Sequence, residues 1–181
     1  MSHLILIGYR GSGKTTVGAI LAQRLGRPFV DLDEQIEAAA GCSIAEIFVK
    51  EGELGFRERE RQALLDSLKG SPSVVSTGGG IILKPENRSA LREAGFVAWL
   101  TAAPEVLWQR MLADPLTSSR RPNLQQGGLE EVVAMMGKRE AMYAESAHAR
   151  FDVASGSPET LAADILKAYK AFAARSSSPR G

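Results

Sequence analysis

The run Gly8-Tyr9-Arg10-Gly11-Ser12-Gly13-Lys14-Thr15 spaces two glycines, a lysine and a hydroxyl residue as G-x-x-x-x-G-K-[ST], a phosphate-binding loop. The chemistry requires those types. Glycines let backbone N–H groups curl around a polyphosphate without Cβ clashes, and the helix that follows aims its positive end at the same anion. Lys14 reaches the β- and γ-phosphates, and the Thr15 hydroxyl is placed to ligate Mg²⁺. A dinucleotide fingerprint, G-x-G-x-x-G, fails because Thr16 stands where the third glycine belongs. Lys14 also has no role there, so the loop fits a nucleoside triphosphate.

Two carboxylates follow in Asp31-Leu32-Asp33. At the end of a strand, residues two apart point the same way, so both acids are expected to face the crevice of the loop. One can help hold Mg²⁺, directly or through water, and the other can accept a proton from a substrate hydroxyl. The alternative for Asp33 is to cap a helix that begins near Glu34. Farther on, Val74-Val75-Ser76 runs into Thr77-Gly78-Gly79-Gly80. That strand end carries no acid for a metal, which leaves Asp31 as the carboxylate. Three successive glycines cost backbone entropy and suit a place where a small molecule touches the main chain. Arg57, Arg121 and Arg139 are the candidate anion clamps, because a guanidinium grips a carboxylate or phosphate bidentately. For Arg57 alone, the competing reading is a surface ion pair with Glu53 or Glu60.

These residues need elements to hold them. Apolar runs of strand length (Leu4–Ile7, Phe29–Val30, Val74–Ser76, Val97–Leu100, Phe151–Val153) alternate with amphipathic segments. The latter are Thr15–Leu25, Glu34–Lys69 in pieces, Glu86–Ala94, Glu105–Leu112, Glu130–Ala147 and Glu159–Ala174. Alternating β and α predicts an α/β fold, a parallel sheet with helices on both faces. Ser43-Ile44-Ala45-Glu46 has capping-box spacing, and Pro85, Pro104 and Pro158 each sit at an expected first helical position with an acid next. The stretch 112–128, with Asp114-Pro115, Arg120-Arg121-Pro122 and Gly127-Gly128, is expected to be a closing lid. The polar end, Arg175 to Gly181, is expected to be a disordered tail, with residues 1–175 forming one domain.

Composition narrows the partners. A chain of 181 residues suits one domain with a buried core, and a net charge of +1 gives no broad attraction to nucleic acid or anionic membrane. No apolar stretch approaches ~18 residues, and no charged-then-apolar leader is present, so no membrane partner is expected. The single cysteine, Cys42, leaves no internal disulfide, which suits a cytoplasmic protein, and it reads as a small packed residue.

Taken together, the phosphate loop, Asp31-Leu32-Asp33, Phe56-Arg57-Glu58-Arg59-Glu60, Thr77-Gly78-Gly79-Gly80, Arg121-Pro122 and the Lys138-Arg139 segment resemble the shikimate kinase family in order and spacing, over residues 4 to 170. The resemblance implies a three-layer P-loop NTPase fold similar to nucleoside-monophosphate kinases. That fold has a five-stranded parallel sheet, a mobile lid and a substrate-binding helical segment at 33–61. It implies ATP-dependent phosphorylation of the 3-hydroxyl of shikimate, on the route to chorismate and the aromatic amino acids. By matching position, Gly11, Ser12, Gly13, Lys14, Thr15 and Thr16 would hold ATP, with Thr15 and Asp31 on Mg²⁺. Asp33, Arg57, Gly78, Gly79, Gly80 and Arg139 would bind shikimate, and Arg121 would descend from the lid onto the phosphates. Asp33, Lys14 and Arg121 would carry the chemistry, and a monomer is expected. Ser155-Gly156-Ser157-Pro158 departs from relatives that present a basic or amide side chain near adenine, which leaves those contacts to backbone. The rivals are a sister kinase acting on gluconate or a nucleoside monophosphate, and a nucleotide-binding switch without turnover.

Overall fold

A computed structural model describes residues 2–114 and 128–176. Five strands, β1 (His3–Ile7), β2 (Phe29–Asp31), β3 (Val74–Ser76), β4 (Gly95–Thr101) and β5 (Ala149–Asp152), form one sheet in the order β2-β3-β1-β4-β5. Every pairing is parallel, with Ile5 opposite Val75 on one side and Val97 on the other. The α/β class and the five-stranded parallel sheet are therefore as expected.

The sheet is covered on both faces, so β1, β3 and β4 are buried at every position. Alternation along β1 sorts the core. Leu4 and Leu6 point to the layer of α1 (Lys14–Leu25), α5 (Pro104–Ala113) and α7 (Pro158–Ser176). Ile5 and Ile7 point to the layer that holds Leu64 of α3 (Ile44–Lys69), Leu91 of α4 (Pro85–Ala94) and Tyr143 of α6 (Gly128–Ser146). Among the described residues no helix is long and apolar enough to cross a membrane.

The punctuation works as the residues dictate. Pro85, Pro104 and Pro158 are the first residues of their helices. Ser43 and Glu46 form the reciprocal capping box that opens α3: the Ser43 hydroxyl accepts from the Glu46 amide at 3.3 Å, and the Ser43 amide donates to the Glu46 carboxylate at 2.8 Å. The segment expected as Glu34–Lys69 in pieces begins earlier. α2 (Leu32–Ala40) stops at Gly41, which takes φ 65°, and α3 breaks at Gly52, where φ is 68° and ψ −173°. Ile36, Ile44, Ile47 and Phe56 make a small separate core there, with Cys42 half-buried against it. At the far end α7 continues through Ser176, so the last residues expected as helix, up to Ala174, fall short by two.

Candidate active site

The phosphate loop leaves β1 at its carboxyl end. Gly8, Gly11 and Gly13 adopt φ of 147°, 75° and 77°, a region that L side chains rarely occupy. At Gly8 a Cβ would also run into the Leu100 carbonyl. The loop is braced from within: Ser12 is 1% exposed, and its hydroxyl donates to the Tyr9 carbonyl at 2.7 Å. Lys14 curls back, its Nζ donating to the Gly8 and Tyr9 carbonyls at 2.9 and 3.0 Å and lying 3.2 Å from the Ser12 hydroxyl. Thr15 Oγ1 donates to Asp31 Oδ2 at 2.9 Å. Those two oxygens are adjacent, hard ligands beside a phosphate cradle, and so fit a Mg²⁺ that takes its other ligands from phosphate and water.

The two carboxylates divide differently from the sequence expectation. β2 ends at Asp31, and Asp33 lies in the first turn of α2, so the pair does not share one extended strand. It is Asp31 that caps the helix: its Oδ1 accepts from the Asp33 amide at 3.0 Å. That interaction is commonly worth ~1 kcal/mol. Asp33 is thereby released from a capping role, and both acids still reach the same cleft.

That cleft measures about 520 Å³, and its walls include Gly11, Gly13, Lys14, Thr15, Thr16, Asp31, Asp33, Gly78 and Gly79. Gly80, Arg57 and Arg139 are not among its walls; the two arginines meet at the glycine turn behind it. Arg139 Nη1 donates to the Gly79 carbonyl at 3.4 Å. The Arg57 guanidinium occupies the space where a Cβ on Gly80 would stand. One use of the triple glycine is thus to make room for the protein's own arginine, which its sequence context suggested only for a ligand. Both ion pairs expected of Arg57 are present: the guanidinium, 12% exposed, bridges the exposed Glu53 at 3.2 Å and Glu60, itself 1% exposed, at 2.7 Å, so only the Glu53 arm is a surface pair. Arg121 and the centre of the expected lid lie outside the described residues. Of its flanks, Leu112 and Ala113 belong to α5 and Gly128 to α6.

Glu60, the partner expected for Arg57 from its i,i+3 spacing, holds it, and two residues that the sequence did not single out complete the site. Arg110 lines the cleft beside the loop; its Nη2 donates to the Val153 carbonyl at 2.9 Å, tying α5 to the turn that holds Ser155. There Ser155 donates to the Asp152 carbonyl at 2.7 Å and so serves the turn itself. Tyr143, one helical turn beyond Arg139, donates its hydroxyl to the Gly79 carbonyl at 2.6 Å. It is 2% exposed, and burial pushes the phenol's pKa well above its ordinary value of 10.0.

A family model described as shikimate kinase matches residues 10–170. The shikimate kinase of Rhodopirellula baltica is 44% identical over 167 residues, covering 92% of this chain and 89% of that one. The shikimate kinase of Symbiobacterium thermophilum is 45% identical over 166 residues, covering 91% and 94%. Among solved structures, the shikimate kinase of Acinetobacter baumannii in complex with shikimate superposes with a TM-score of 0.88 at 36% identity, covering 94% of each chain. A gluconokinase from Sinorhizobium meliloti shares the fold alone, at a TM-score of 0.53 and 17% identity.

Proposed function

The chain belongs to the shikimate kinase family of ATP-dependent kinases, and from that membership we propose how its own residues divide the transfer of a phosphoryl group from ATP to the 3-hydroxyl of shikimate. The observation that carries the proposal is the single cleft in which Lys14 and Thr15 of the donor loop face Asp33 and Gly79.

The loop N–H groups, Lys14 and the amino end of α1 hold the triphosphate and offset charge that spreads over the γ-phosphoryl oxygens in the transition state. Thr15 and Asp31 would hold Mg²⁺, which would supply further charge neutralisation. Arg57, kept in place by Glu60, and Arg139 take the shikimate carboxylate, and the Gly78–Gly80 turn lets the ring approach the main chain. Asp33 orients the 3-hydroxyl and accepts its proton as the new O–P bond forms and the bond from the γ-phosphorus to the bridging oxygen of ADP breaks. We place the enzyme in the cytoplasm, in keeping with its single cysteine, and take it to be a monomer acting on small molecules.

The test is ADP release measured by a coupled assay over shikimate, gluconate and nucleoside monophosphates. Turnover should depend on shikimate. Equal or better turnover with gluconate or a nucleotide would overturn the acceptor assignment, and ATP binding without any turnover would make the chain a switch.

A further inference from the structure

We propose that Tyr143 is a positioning residue for the acceptor: its hydroxyl holds the Gly79 carbonyl, and so keeps the Gly79–Gly80 turn seated against the donor loop. The inference rests on the reading above that Gly79, Arg57 and Arg139 hold the acceptor.

Two donors meet at that carbonyl. The tyrosine bond, at 2.6 Å, is short even for O–H···O, whereas Arg139 Nη1 is at 3.4 Å, near the limit of a useful contact. The pair is spaced i,i+4 on α6, which puts both side chains on one face and aims them at one peptide. Arg139 Nε is buried without a hydrogen-bond partner, so this guanidinium still has a donor to offer. The tyrosine therefore does most of the holding and leaves the arginine available to an anion.

Holding the carbonyl also fixes the rest of the peptide. In a trans peptide the Gly80 N–H points opposite to the Gly79 carbonyl, so pinning one sets the direction of the other. Donation into the carbonyl further polarises the amide and strengthens that N–H as a donor. The turn is pinned against something definite: a Cβ on Gly79 would lie 3.4 Å from the Gly8 carbonyl oxygen, 3.5 Å from the tyrosine oxygen and 3.7 Å from the Tyr9 Cα. Gly79 thus sits between Tyr143 and the phosphate loop, and the hydroxyl sets how the acceptor's turn meets the donor's.

The ring is braced for the task. It stacks on Trp99 with centroids 5.5 Å apart and planes 14° apart, and the Arg150 guanidinium lies 4.6 Å from the Trp99 centroid. The tyrosine, 2% exposed, packs in the core layer with Ile81 and Ile82, and a cavity of about 590 Å³ bounded by Trp99, Met136 and Glu140 opens beside it.

The experiment is Tyr143→Phe, which keeps the ring and its stack and deletes one oxygen, run beside Arg57→Lys as a probe of the acceptor site. Initial rates over shikimate and ATP are measured with thermal unfolding. KM for shikimate should rise roughly three- to tenfold, the usual effect of one buried hydrogen bond, while KM for ATP stays within about twofold and the midpoint of unfolding, lower by only about 2–4 °C, stays well above the assay temperature. If Arg57→Lys raises KM for shikimate and Tyr143→Phe does not, the tyrosine has no positioning role and the acceptor site stands. If neither variant moves it, the acceptor site itself is misplaced. A Tyr143→Phe loss shared equally by both substrates, or one traced to unfolding at the assay temperature, would reduce Tyr143 to a structural residue and overturn the inference.

Discussion

On the division of roles proposed above, Asp33 is the residue on which the chemistry turns. Its backbone N–H is spent on the Asp31 cap while its carboxylate lines the cleft, so its amide and its acid serve different ends. Asp33→Asn preserves size and the helix start and removes the proton acceptor. Turnover should fall by about 10²- to 10⁴-fold, the usual worth of a positioned general base, with an unfolding midpoint close to that of the parent. The coupled ADP assay together with circular dichroism checks both. The residues legible in the sequence were those whose meaning is local: the phosphate loop, with Lys14 and Thr15 adjacent, and the Asp31–Asp33 doublet. Contacts made across the chain were not legible. Nothing near Gly80 announces that Arg57, more than twenty positions earlier, fills the volume of its missing side chain, and nothing near Arg110 announces Val153. Which acid caps α2 also needed the structure, because the end of β2 and the start of α2 differ by one residue and either acid has a cap's chemistry.

α3 shows what a single backbone position does to an element. In an unbroken helix, residues 51 and 59 would be about 12 Å apart along the axis, at 1.5 Å per residue. Here Arg59 grips Glu51 with two bonds of 2.8 Å, which requires the break at Gly52. With φ 68° and ψ −173° that position is open essentially to glycine alone. Gly52→Ala should therefore either strain the break, at about 1–3 kcal/mol, or straighten the helix and part the Glu51–Arg59 bridge. In both cases thermal unfolding should occur at a lower temperature, and the affinity for shikimate, measured by calorimetric titration, should drop because Arg57 rides on the same helix. An unchanged midpoint with unchanged affinity would show the break to be incidental. The sequence announced the start of this element through Ser43 and Glu46 but not its interruption. Gly52 and Gly55 stand together in a charged, helix-favouring run, and only the dihedral angles tell which of them bends the chain.

At the scale of the molecule, two imidazoles, the buried His3 and the half-buried His148, tie stability to pH. Val97 N–H donates to His148 Nδ1 at 3.1 Å, and Ser73 N–H donates to His3 Nδ1 at 3.2 Å, so both rings are needed neutral. Burial, foremost, lowers both pKa values below the ordinary 6.5. A base with a lowered folded pKa binds fewer protons folded than unfolded, so its contribution is complete above pH 6.5 and is lost as the pH falls from there through the folded value. The unfolding midpoint should accordingly decline below pH 6.5. It should decline less steeply in His148→Asn, whose side-chain oxygen can still accept from Val97. An identical slope in that variant would remove His148 from the effect. The strand order itself could not be read from the sequence, since alternating β and α is compatible with several parallel arrangements. What the observed order does is gather the site at the carboxyl ends of the strands, leaving the opposite pole with short joints such as Gly70-Ser71, both exposed. That pole is where the enzyme is best handled. An affinity peptide, a dye or a solid support attached at Gly70-Ser71 would hold the molecule by its back and leave its mouth open to substrate.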